Sequence, residues 1–236
     1  MTEELFREDG YLRECEAEVT ATSEQGVCLD RTVFYPMGGG QPGDVGKLVR
    51  SDGSEILVAD TQKDRDSGDI VHITGEQAVL PEVGETVTAV IDWDRRHRLM
   101  RMHSCMHLLC AVIPYGVTGG QITDGRGRLD FDMQETLDKD QVTAELNRLI
   151  SENHSMRMRW IADEELDAQP DLVRTMSVKP PRGAGRVRLV EFDQVDLQPC
   201  GGTHIASTGE IGPVRVAKIE KKGKHNRRVA VVFDGE

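Results

Sequence analysis

DWDRRHRLMRMHSCMHLLCAVIP, residues 92–114, decides how the chain is divided. Asp92 or Asp94 can cap a helix N-terminus and Pro114 and Gly116 end the run, so it predicts a helix of about 19 residues. Everything upstream reads differently. EVTAT, VCLD, VGKLVR, EILVAD, DIVHIT and TVTAVID are short strand-like runs separated by Gly, Asp and Ser, with a turn at Gln25-Gly26. Short strands punctuated this way predict a small β-barrel. Downstream, VTGGQITDGRGR reads as a Gly-rich turn and RLDFDM as a strand. Asp138 then caps a helix, with Gln141 three positions on and an apolar face of Val142, Leu146, Leu149 and Ile150. SMRMRW, RVRLVEF, VRVAKIE and RRVAVVF read as strands, with a short acidic helix near ADEELDAQ. The expected class is α+β: an N-terminal small β-barrel domain over residues 1–91, then an α/β domain over residues 92–236.

The long helix also carries chemistry. His103 and His107 lie one turn apart on one face, close enough for both imidazoles to reach one ion. Such a pair alone is more often two half-buried histidines than a metal site. QPCGGTH, residues 198–204, adds Cys200 and His204, with glycines that let the backbone turn tightly between them. One thiolate with three imidazoles suits tetrahedral zinc, one ion per chain. A zinc protease would read HExxH, and Ser104 follows His103, so peptidase chemistry is disfavoured. Cys110, three residues after His107, is the rival ligand and reads more simply as a small core residue, while Cys105 points off the histidine face. His72, His97, His154 and His225 have no partner at ligand spacing and read as surface or core.

At 236 residues the chain can bury a core without staples. Its cysteines, Cys15, Cys28, Cys105, Cys110 and Cys200, form an odd, scattered set, and MTEELFREDG shows no secretory signal. Both point to a reducing cytoplasm over a disulfide framework. No apolar run reaches the roughly 18 residues that span a bilayer, so no membrane role is expected. The net charge of -12, from 41 acidic and 29 basic residues, makes the average surface repel nucleic acid. DRRHRLMR (94–101), KPPRGAGRVR (179–188) and KIEKKGKHNRR (218–228) still concentrate positive charge, enough for a local cationic face.

DRTVFYPMGGGQPGDVG, residues 30–46, is the third signal. Gly38, Gly39 and Gly40, followed by Gln41 and Pro42, cannot be ordinary strand; they mark either a structural turn or a close approach to a ligand. The loop lacks the GKS or GKT ending of a nucleotide-binding P-loop, and ATP is not expected.

FYPMGGGQPGD, RMHSCMHLL and QPCGGTHIASTGEIG, in that order, resemble the editing domain of alanyl-tRNA synthetase, and especially its free-standing form, the AlaX proteins. The resemblance spans roughly residues 15–233, and a barrel joined to a zinc domain is similar to the medium-length type. HSCMHLL stands where the family usually has HTAxHLL and keeps both histidines. The editing domain of threonyl-tRNA synthetase shares the HxxxH and the later Cys and His, but the GGGQ loop and CGGTH favour the alanyl branch. The length leaves no room for an aminoacylation core.

What the resemblance implies is a trans-editing hydrolase that deacylates mischarged tRNA(Ala), chiefly seryl-tRNA(Ala), with the glycyl ester as a further candidate. It implies zinc on His103, His107, Cys200 and His204, either acting on the substrate amino group or water, or mainly architectural. Thr32 would sense the side-chain hydroxyl and Gln41 would line the pocket. Gly38, Gly39, Gly40, Gly201 and Gly202 would meet the substrate. No glutamate stands out as a general base. The alternatives are a non-catalytic, zinc-stabilised RNA-binding module and a zinc-dependent esterase on another aminoacyl-tRNA.

Overall fold

Alternation of buried and exposed side chains builds the first half of the chain. In the computed structural model, which describes residues 2–176 and 185–235, the strands are β1 (Glu3–Glu4), β2 (Glu14–Ser23), β3 (Gly26–Leu29), β4 (Arg31–Thr32), β5 (Gly46–Arg50), β6 (Glu55–Lys63), β7 (Ile70–Thr74) and β8 (Thr86–Ile91). Six of them close into an antiparallel barrel in the order β2-β3-β7-β6-β5-β8. Closure leaves no free edge to pair with another chain. In β8, Val87, Ala89 and Ile91 are buried and the residues between them are not. They join Val19, Leu29, Leu48 and Val58 in the barrel core. Gly46 is needed where β5 meets β8, because a Cβ there would sit 2.2 Å from the Val90 carbonyl oxygen. All six barrel strands match the expected runs. The parallel pair β1–β4 was not expected, and two-residue strands carry no readable period.

A helix, α1 (Trp93–Val112), follows. Asp92 caps it, its carboxylate accepting from the Arg95 N–H at 3.1 Å. Contacts divide the chain into two compact units, Met1–His97 and Arg98–Glu236, so the division falls inside α1 after its first turn. That first turn supplies the barrel unit with Arg96, which is fully buried. Its guanidinium grips both Asp44 oxygens and donates to the Val33 and Gly10 carbonyls, while Asp44 also accepts from the Tyr35 N–H at 2.6 Å. Arg96 therefore leaves the cationic face expected around residues 94–101. Lys179 and Arg182 of the next basic run lie outside the described residues.

The second unit holds a four-stranded sheet, β14-β15-β10-β9, and a three-stranded sheet, β11-β12-β13. Its elements are β9 (Val117–Thr123), β10 (Arg126–Asp132), α2 (Lys139–Ser151), β11 (Met156–Ala162), α3 (Asp163–Asp167), β12 (Arg186–Phe192), β13 (Asp196–Pro199), β14 (Val214–Lys221) and β15 (Asn226–Phe233). The expected Gly-rich turn is a hairpin. Asp124-Gly125 forms its two-residue tip, Gly125 having φ 77°, and Gly119 and Gly120 sit inside β9. Gly127 lets α1 lie on the sheet, since a Cβ there would fall 2.7 Å from the Met106 sulfur. Asp138 caps α2 as expected, and Val142, Leu146, Leu149 and Ile150 are its buried face. β13 was not expected; it leads directly into Cys200. Among the described residues, no helix is long and apolar enough to cross a membrane.

Candidate metal centre

Two segments of the second unit converge. Helical periodicity puts His103 and His107 on the buried side of α1, and the loop after β13 returns Cys200 and His204 to the same place, so that one ligand atom from each lies within 4.8 Å of the others. The Cys200 sulfur is 3.2 Å from His204 Nε2 and 3.5 Å from His103 Nε2. The His204 ring lies 4.3 Å from that of His103 and 4.6 Å from that of His107, centroid to centroid. Arg188, itself buried, pins the ligand loop by donating to the Cys200 carbonyl at 3.2 Å and the Gly202 carbonyl at 2.7 Å. The Phe192 ring stands edge-on to His107 and His204 and walls the cluster with apolar surface.

Charge in the cluster is arranged for a cation. Burial alone would raise the Cys200 thiol, but His103 and His204 beside it hold its ionisation well below the usual thiol range. Burial, with His103 close by, keeps His204 well below an ordinary imidazole. Burial also opposes the charged form of His107, yet Asp196 and Cys200 override it and push the ring up to about 9. His107 Nδ1 is 2.8 Å from Asp196 Oδ2, and His204 Nδ1 is 3.2 Å from the Ser104 hydroxyl, which also accepts from the Ile205 N–H. With those ring nitrogens engaged, Nε2 of each faces inward. Three imidazoles and a low-pKa thiolate, set beside a buried Asp196 oxygen with no hydrogen-bond partner among the described residues, fit a metal ion by the chemistry of the donor set. Cys105 and Cys110 are not among the residues whose ligand atoms converge, and burial pushes both thiols up to about 12.

Thr32, Gln41 and Gly38 to Gly40 belong to the barrel unit. Thr32 is fully buried; its hydroxyl lies 2.8 Å from His72 Nε2 and accepts from the Phe34 N–H at 3.0 Å. His72 Nδ1 donates to the Val27 carbonyl at 3.0 Å, and burial pushes the ring down to about 4. The neutral ring must therefore accept the Thr32 proton at Nε2. Gln41 is buried, and its backbone pairs with that of Gly38 in both directions. Gly39 and Gly40 have φ of 56° and 84°, the left-handed region that favours glycine. The other histidines are local: His97 stacks on Trp93, His154 meets Glu152, and His225 contacts Gln134.

Sequence reasoning missed Asp196 and Ser104, and it set Arg188 on a cationic face, whereas the side chain is buried against the ligand loop. DLQPC alternates over too few residues to read as a strand, so nothing local sets Asp196 beside Cys200.

Residues 8–95 match the family described as tRNA synthetases class II (A), and residues 187–230 match the threonyl and alanyl tRNA synthetase second additional domain. An alanyl-tRNA editing protein AlaX-M of Methanosarcina acetivorans is 39% identical, covering 97% of this chain and 98% of that protein. AlaX-M of Saccharolobus solfataricus is 35% identical over the same shares. An alanine–tRNA ligase of Saccharolobus islandicus is 33% identical over 93% of this chain, but only 25% of the ligase is matched.

Proposed function

The chain belongs to the AlaX family of alanyl-tRNA editing proteins, and from that premise we propose that it hydrolyses the ester of serine, and secondarily of glycine, wrongly attached to tRNA(Ala). Binding alone separates side chains differing by one small group by only about 1–3 kcal/mol, so an alanine-activating enzyme needs a second sieve. A site that pairs with the serine hydroxyl rejects the alanyl ester, because its buried polar groups would be left without a partner.

The observation that carries the reading is the convergence of Cys200 and His204 on His103 and His107, with 97 residues separating Cys200 from His103. We assign one zinc ion per chain to these four residues. Bound there, zinc would supply positive charge to the substrate amino group or to an attacking water. The protein's own groups do the rest. Cys200 stays a thiolate, Phe192 keeps bulk water from the ligand rings, and Arg188 holds the Gly201-Gly202 turn in place. Thr32 donates to His72 and accepts from Phe34, which leaves one lone pair to accept from a serine hydroxyl. Gln41 and Gly38 to Gly40 of the barrel unit are likewise assigned to the substrate. Functionally the barrel domain ends at residue 91 and the hydrolase domain begins at residue 92. Of the three basic runs, described cations that are not buried are assigned to the tRNA backbone: Arg95, Arg98 and Arg101, Arg186, and Lys221, Lys222, Lys224, Arg227 and Arg228. The reaction belongs to the cytoplasm and uses no ATP.

One assay tests this. Seryl-, glycyl- and alanyl-tRNA(Ala), and seryl-tRNA(Ser), are incubated with the protein before and after chelation, and released amino acid is counted. Release from mischarged tRNA(Ala) alone, abolished by chelation and restored by zinc, is expected. Binding without release would make the chain an RNA-binding module, and equal release from seryl-tRNA(Ser) would make it a broader esterase.

A further inference from the structure

The metal motif reaches back beyond Cys200. The Cys200 N–H bonds the Arg188 carbonyl at 3.1 Å, continuing the β12–β13 pairing, so the strand's period of two still holds at residue 200. Asp196, Gln198 and Cys200 therefore share one face, the face turned to α1. Asp196 and Gln198 are both buried there.

We infer that Asp196 is a positioning residue of the metal centre, holding His107 with Nδ1 protonated and Nε2 turned to the ion. An ionised carboxylate only accepts. Oδ2 lies 2.8 Å from His107 Nδ1 and 2.8 Å from Gln198 Nε2, and those two nitrogens are 3.1 Å apart. Two donors converging on one oxygen fix the ring's tautomer and its rotation together. His204 has only the neutral Ser104 hydroxyl for the same task, so the carboxylate gives His107 the stronger hold.

The second oxygen explains why a carboxylate stands here rather than an amide. Among the described residues the buried Asp196 Oδ1 has no hydrogen-bond partner, and Arg174 comes no closer than 4.0 Å. A buried carboxylate left in that condition costs several kcal/mol, and a nearby cation offsets the cost. Asp196 and the Cys200 thiolate bring two negative charges to the cluster, matching a divalent ion.

This rests on the metal centre proposed above and not on the choice of substrate. The test is zinc affinity by chelator competition in the full-length protein, with the thiolate-to-cobalt absorption of the cobalt-substituted form as a second readout. Asp196→Ala should weaken zinc by about 10–100-fold, Asp196→Asn by less, and Ser104→Ala by less than Asp196→Ala. The cobalt band should persist in Asp196→Asn, because Cys200 still binds. Should Asp196→Ala fail to fold, the isosteric Asp196→Asn carries the test alone. Zinc affinity within about twofold of the parent in every folded Asp196 variant would overturn the inference, even if the metal-free protein melted earlier. A parent that takes up no ion would remove the metal centre itself. A parent that binds zinc but edits nothing would remove the substrate reading and leave Asp196 in its role.

Discussion

His72 in the barrel unit and His107 in the second unit are both buried and both engaged at Nδ1, yet they titrate in opposite directions. The partners of His72 are a carbonyl and a hydroxyl, and burial takes it down to about 4. The partners of His107 are a carboxylate and a thiolate, and they lift it to about 9 against the same burial. Burial alone therefore says little about what a histidine is for. Neutral partners make it a cross-tie between strands, while anionic partners make it a place for a cation. The two buried aspartates repeat the contrast. Asp44 is closed by Arg96 and by a backbone N–H, whereas Asp196 has one oxygen left over.

The sharpest way to break this comparison is to remove each carboxylate. Asp44→Ala leaves Arg96 buried without its counter-charge and should destabilise the barrel unit by about 3–5 kcal/mol. Asp196→Asn in metal-free protein loses the ion pair with His107 but keeps an amide oxygen for Nδ1 and sheds a carboxylate with one oxygen unpaired, so it should cost less than Asp44→Ala. Trp93 and Trp160 lie in different units, so denaturant titrations of Trp160→Phe and Trp93→Phe backgrounds report each unit separately. Equal losses in both units would end the distinction between a closed ion pair and a site awaiting its ion.

The same contrast separates what was legible in the sequence from what was not. The barrel strands could be read because one-sided burial prints a period of two, as in Val87, Ala89 and Ile91. α2 could be read because its cap and its i, i+4 face are local. The ligand residues were visible as two short spacings, and the structure brings those spacings to one point. Arg96 could not be read: inside DRRHRLMR it looks like a solvated cation, and its partner Asp44 is 52 residues away. β9 was hidden by glycines that interrupt the alternation of TGGQIT. β13 was hidden because a four-residue strand ending in Pro199 is too short to show a period. The outer partners Asp196 and Ser104 carry no local mark, since a carboxylate or hydroxyl becomes an orienting group only when the fold places it behind a ligand.

Acid sharpens the histidine half of the comparison. The folded value of His72, about 4, lies below the 6.5 of an unfolded imidazole, so the unfolded chain takes up the proton first. The stabilisation from a neutral His72 is intact above about pH 6.5 and falls away as pH drops toward 4, by about 3 kcal/mol in total. Carboxylates titrate over part of that window. The quantity to measure is therefore the difference in barrel stability between the parent and His72→Gln at several pH values. A difference that stays constant from pH 7 to pH 4 would mean that the buried imidazole does not set the barrel's acid limit.

The smallest effect on stability is expected at Gly38, and that makes it useful. Gly39 and Gly40 need positive φ, and Gly43 would drive a Cβ to 2.1 Å from the Thr61 carbonyl oxygen, so substituting any of these confounds folding with function. Gly38 has neither constraint. A Cβ there would meet the Tyr35 hydroxyl at 3.5 Å, an ordinary contact. Gly38→Ala should therefore shift barrel stability by less than about 0.5 kcal/mol in either direction. Nothing in the barrel unit's own packing then requires a glycine at this position. If the loop receives the aminoacyl end of tRNA, deacylation of seryl-tRNA(Ala) should fall by about tenfold or more while the melting curve is unchanged, the added methyl standing where substrate must lie. Unchanged activity with unchanged stability would take Gly38 out of the substrate-binding set and leave the loop as a structural turn, the barrel counterpart of the hairpin tip at Gly125.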